Sequence, residues 1–87
     1  MKKRILIISG GISKERLISL DTGNQVAEEL SKNGYKVKIV EPNCKLINVI
    51  KFFKPEVIFN ALHGQFGEDG YIQTILETTG IPYTHSG

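Results

Sequence analysis

Tryptophan is absent from this sequence, cysteine occurs once, at position 44, and the longest strongly apolar run, Ile5-Leu6-Ile7-Ile8, is only four residues long. Each shortage excludes something. One cysteine permits no internal disulfide, which rules out a disulfide-stapled miniprotein and fits a reducing compartment. Four apolar residues fall far short of the ~20 that a membrane span requires. Lys2, Lys3 and Arg4 before that run imitate the start of a signal peptide, but a signal core needs roughly 7 to 15 apolar residues. This run stops at Ser9-Gly10-Gly11, so a buried first strand is the better reading. A soluble cytoplasmic protein with no membrane partner is the expectation. Excess charge is scarce too: 11 basic and 9 acidic residues leave a net charge of +2. Apart from the N-terminal triplet the basic residues are scattered, so no nucleic-acid face is expected. What remains is 87 residues, 40% hydrophobic and 23% charged, enough for one globular domain and too few for two.

Strand-like and helix-like patterns alternate along the chain. Arg4 to Ser9 is the continuous β-branched and Leu run of a strand buried on both faces. From Ser13 to Asn33, Leu17, Leu20, Ala27 and Leu30, widened by Ile18 and Val26, predict a helix, with Gly34 at its C-cap. Gly23 lies on the Leu20/Ala27 side, where a missing side chain lets the helix approach the sheet closely. Tyr35 to Val40 reads as a second strand. Leu46 to Phe53, with Ile47, Val49 and Ile50, predicts a helix that ends before Pro55. Glu56 to Leu62 is a third strand, followed by a glycine-rich loop from His63 to Gly70. Tyr71 to Thr79 is a short helix with Ile72, Ile75 and Leu76 inward, and Ile81 to Thr84 begins a fourth strand. This order predicts an α/β fold: an open, Rossmann-like parallel sheet of about four strands with helices on both faces. Ligands bind such sheets at the carboxyl ends of the strands. Gly10-Gly11 and His63 to Gly70 directly follow strands one and three, so both are expected on that edge.

A strand, two glycines and a helix invite a dinucleotide reading, with Glu41 as the ribose-binding acid. The fingerprint needs glycines where this chain has Ile12 and Glu15. Isoleucine blocks the approach of a pyrophosphate, and a carboxylate repels it. The same turn suits another ligand. A helix N-terminus favours an anion, and Glu15 offers a full negative charge to an ammonium group. Together they suit a zwitterion such as an amino acid. The alternative, that Glu15 merely complements the helix dipole, stays open here. In the second loop, His63 could equally be a structural histidine. Glu68 and Asp69 are poorly placed as a metal pair and are expected to cap the next helix.

Beyond these readings, Gly10-Gly11-Ile12-Ser13-Lys14-Glu15, continuing to Ile18-Ser19, resembles the N-terminal motif of D-alanine-D-alanine ligases. His63-Gly64-Gln65-Phe66-Gly67-Glu68-Asp69-Gly70-Tyr71-Ile72-Gln73 is similar to that family's signature H-G-x-x-G-E-D-G-x-x-Q. Gly80-Ile81-Pro82-Tyr83-Thr84 resembles its G-x-P-Y-T continuation. The resemblance covers the whole chain. It implies one N-terminal pre-ATP-grasp domain over residues 1–87, inactive alone, with the central and C-terminal ATP-grasp domains absent. The implied reaction is ATP-dependent. One D-alanine carboxylate becomes an acyl phosphate, a second D-alanine attacks through its amine, and the dipeptide feeds peptidoglycan synthesis. ATP and magnesium (or manganese) are implied for the full-length family, and neither is expected on this fragment. The implied partners are D-alanine and the remaining domains of the same ligase. Glu15 would be the catalytic residue, holding the ammonium group of the first D-alanine, with His63 near the same substrate. Gly10, Gly11 and Ser13 carry over as substrate-binding; Glu68, Asp69 and Gln73 as structural. Two positions depart from the pattern: Thr74 stands where a smaller residue is usual, and His85 where glycine is. Two other readings compete. One is a stand-alone nucleotide- or amino-acid-binding module without catalysis. The other is a dimerisation domain whose partner is a second copy of the chain.

Overall fold

A computed structural model of the chain describes residues 3–11, 16–42, 45–61 and 71–85. The elements run β1 (Arg4–Ile8), α1 (Arg16–Lys32), β2 (Lys36–Val40), α2 (Leu46–Phe53), β3 (Val57–Asn60), α3 (Tyr71–Thr79) and β4 (Tyr83–His85). All four strands are parallel, in the order β2-β1-β3-β4. The expected α/β architecture is therefore the observed one. The chain steps from β1 to β2 on one side and then crosses back to place β3 on the other. That reversal divides the helices between the faces, as right-handed crossovers demand.

The two-residue period of β1 feeds a core on each side of the sheet. Leu6 and Ile8 pack with Leu46 and Ile50 of α2, Ile58 of β3, and Ile72 and Leu76 of α3. Ile5 and Ile7 face the other way, against Val26, Ala27 and Leu30 of α1. At the sheet edge, β2 is less deeply buried. It exposes Lys36 and Lys38, charges that discourage pairing with another sheet.

Helix ends follow local chemistry. Gly34, with φ +91°, closes α1: its N–H donates to the Ser31 carbonyl and that of Tyr35 to the Leu30 carbonyl. This pair of bonds satisfies carbonyls that the helix end would otherwise orphan. α2 has the bounds its pattern predicts and ends on Lys54, a non-glycine residue in the left-handed region, immediately before Pro55.

The inward face of α1 needs correction. Leu17 and Ile18 are exposed, at 77% and 58%, and the buried residues of this helix are Ser19 and Gly23. With 3.6 residues per turn, Ser19, Gly23, Val26 and Leu30 form one stripe and Leu17 falls on the far side. Close approach decides the rotation. A Cβ on Gly23 would lie 2.8 Å from Ser9, so the helix turns its bare backbone to β1. Ile47 of α2 is likewise half-exposed, and its stripe runs through Leu46, Val49, Ile50 and Phe53.

Candidate functional site at the carboxyl ends of β1 and β3

β1 and β3 are adjacent, and the strand order reverses between them. A crevice opens at such a point because the connections leave in opposite directions. Gly10 and Gly11 lie there, both buried, with φ of +95° and +89°. Ser13, Glu15 and His63 lie outside the described residues, as do Glu68 and Asp69. By chain connectivity Glu15 directly precedes α1, and His63 follows Ala61, the last described residue after β3, by two positions.

Three contacts shape the described part of the site. The Gly10 N–H donates to Ser19 Oγ at 2.9 Å, and the Ser19 hydroxyl donates to the Ala61 carbonyl at 2.7 Å. One hydroxyl thus joins the turn after β1 to the end of β3, and its single proton has a defined acceptor. At the β2 end, Arg16 Nη2 lies 2.8 Å from each carboxylate oxygen of Glu41. This pair is about two-fifths exposed on each side, so water screens it substantially. The Glu41 carboxylate also fills the space beside Gly10: a Cβ there would lie 2.7 Å from Glu41 Oε1. The positive φ is what favours a glycine at position 10, since the partly exposed Glu41 carboxylate can swing aside.

The chemistry that follows is selective. The Glu41 carboxylate, held at both oxygens by the Arg16 guanidinium, is poorly suited to accept a ribose hydroxyl. Among the described residues no three His, Cys, Asp or Glu side chains gather to hold a metal ion. Two open grooves of about 470 and 410 Å³ border α2, the second shared with α3, and neither is lined by a residue of the glycine turn. No described helix is long and apolar enough to cross a membrane.

Apolar periodicity does not single out Ser19 or the Arg16–Glu41 pair. A signal for Ser19 does exist. It stands one helical turn before Gly23, so two small residues of that helix segment share a face.

Comparison with known proteins agrees with this architecture. A family model described as "D-ala D-ala ligase N-terminus" matches residues 40–86. The chain belongs to that family. The D-alanine--D-alanine ligase of Pelagibacter ubique (strain HTCC1062) is 77% identical over 87 residues, all of this chain and 29% of that protein. Among solved structures, a D-alanine--D-alanine ligase from Bacillus anthracis complexed with ATP superposes with a TM-score of 0.75 at 40% identity, over 94% of this chain and 28% of that one. The VanG D-Ala:D-Ser ligase from Enterococcus faecalis gives 0.70 at 25% identity, over 95% of this chain and 35% of that one. The chain thus spans about a third or less of each of these relatives. Family and fold both stand as the H-G-x-x-G-E-D-G-x-x-Q resemblance implied.

Proposed function

We propose that residues 1–87 are the N-terminal substrate-binding domain of a D-alanine-D-alanine ligase. The observation that carries this reading is the match along the whole chain to the Pelagibacter ubique ligase at 77% identity. The switch point between β1 and β3 supports it physically, because both ligase-like motifs begin at the strand ends that meet there.

In this reading Glu15 is the catalytic residue and orients the first D-alanine by its ammonium group. The first turn of α1 favours the opposite charge, so an amino acid zwitterion is matched at both ends. His63 stands near the same substrate, and Gly10, Gly11 and Ser13 join Glu15 in binding it. The contribution of this domain is positioning: a substrate held in the reactive pose no longer loses that freedom at the barrier. Phosphoryl chemistry, and the residues that hold ATP and magnesium, belong to the central and C-terminal domains beyond these 87 residues. D-alanine and those domains are the partners.

The test is a hybrid enzyme in which these residues replace the matching segment of the Pelagibacter ubique ligase. It should release ADP in a D-alanine-dependent manner. Glu15→Gln should raise the KM for D-alanine about 10- to 100-fold, the worth of a hydrogen bond to a charged group, and leave the KM for ATP in place. A folded hybrid that ignores D-alanine would refute the reading.

A further inference from the structure

We infer that Ser19 is a positioning residue: its hydroxyl replaces a rung of the β1/β3 ladder and thereby sets the opening of the substrate crevice. The inference rests on the function proposed above and adds a residue to it. The register pairs Ile8 with Asn60, and the Ala61 N–H donates to the Ile8 carbonyl at 2.8 Å. In a parallel ladder the next rung would run directly from the Gly10 N–H to the Ala61 carbonyl. That bond is interrupted. Ser19 Oγ stands between the two groups, accepting from Gly10 at 2.9 Å and donating to Ala61 at 2.7 Å.

The insertion has a direction. A direct rung would draw the two strand ends together, whereas two bonds in series hold them apart at the switch point where ligands enter. Ser19 is 1% exposed, and both groups it serves are backbone, so each of its bonds acts on chain position. Gly10 leads into the segment carrying Glu15, and Ala61 precedes His63 by two residues. The hydroxyl therefore couples the two chain segments assigned to the first substrate. Burial of a hydroxyl costs free energy unless both its roles are satisfied, and here both are.

The experiment uses the hybrid ligase with Ser19→Ala and Ser19→Thr, measuring KM for D-alanine, KM for ATP, kcat and thermal midpoint. Ser19→Ala should raise the KM for D-alanine about tenfold or more, as expected when binding groups are displaced, without moving the KM for ATP. Ser19→Thr, which keeps the hydroxyl, should restore it. An alanine enzyme that is folded and keeps its KM for D-alanine overturns the inference. So does an equal change in both KM values, or a threonine enzyme no better than alanine. Should the alanine enzyme fail to fold, Ser19→Cys, close in size with a weaker donor, is measured in its place and the same outcomes decide. The unsubstituted hybrid separates the two readings. If it lacks D-alanine-dependent ADP release, the proposed function fails and this inference with it; if it is active, only Ser19 is in question.

Discussion

The backbone of Gly23 rests on the side chain of Ser9, so closely that a Cβ on Gly23 would lie 2.8 Å from both Cβ and Oγ of the serine. Carbon atoms pack at about 3.5–4.0 Å, so that space is already taken. Gly23→Ala should therefore move α1 away from β1. Helix propensity favours alanine by about 1 kcal/mol, but overpacking costs about 1–3 kcal/mol. A lower thermal midpoint is the expected outcome in the 87-residue chain. The fall should be smaller in a Ser9→Gly background, where both obstructing atoms are gone. Equal falls in the two backgrounds would show that this contact does not hold the helix.

Ser9 carries a second expectation. Its Oγ is buried and has no hydrogen-bond partner among the described residues. An unsatisfied buried hydroxyl costs about 1–3 kcal/mol, so Ser9→Ala should stabilise the chain. Urea denaturation should show a higher midpoint with an unchanged slope. A loss of stability would mean that the hydroxyl is satisfied after all.

The Arg16–Glu41 pair invites the opposite expectation to its geometry. Both side chains are about two-fifths exposed, and exposed pairs contribute only about 0.2–1 kcal/mol. Glu41→Gln should lower stability slightly at low salt and hardly at all at about 1 M, where screening acts within about 3 Å. Gly10→Ala should cost more than losing the pair. It puts an L side chain on a backbone conformation at φ +95°, which is strained even after the flexible Glu41 carboxylate swings aside. Parallel thermal melts of the two variants order these effects, and a Glu41→Gln loss exceeding that of Gly10→Ala would reverse the argument.

Lys54 closes α2 at φ 52° and ψ 59°, a left-handed position that costs a non-glycine residue about 1–2 kcal/mol. Its side chain is exposed, so little packing is lost on removal. Lys54→Gly should stabilise the chain by up to about 1 kcal/mol once the greater freedom of glycine in the unfolded state is subtracted. An unchanged or lower denaturation midpoint would show that the strain is absent.

The alternation of strands and helices was legible in the sequence because it depends on neighbours within a few residues. The four-residue run of β1, the spacing of Leu46 to Phe53 and the glycine after Asn33 each act locally, and each lies where its pattern placed it. The ligase family was legible as well, in the motifs that begin at Gly10 and His63. The inward face of α1 was not, since Leu17 is as apolar as Leu30 and only contact with β1 separates them. Nor was the meeting of Ser19 with Gly10 and Ala61, 9 and 42 positions away in the chain, or the closure of Glu41 over the glycine turn. Those relationships arise when strand order reverses beside β1, and it is that long-range arrangement, decided by packing on both faces of one strand, that turns separate motifs into a site.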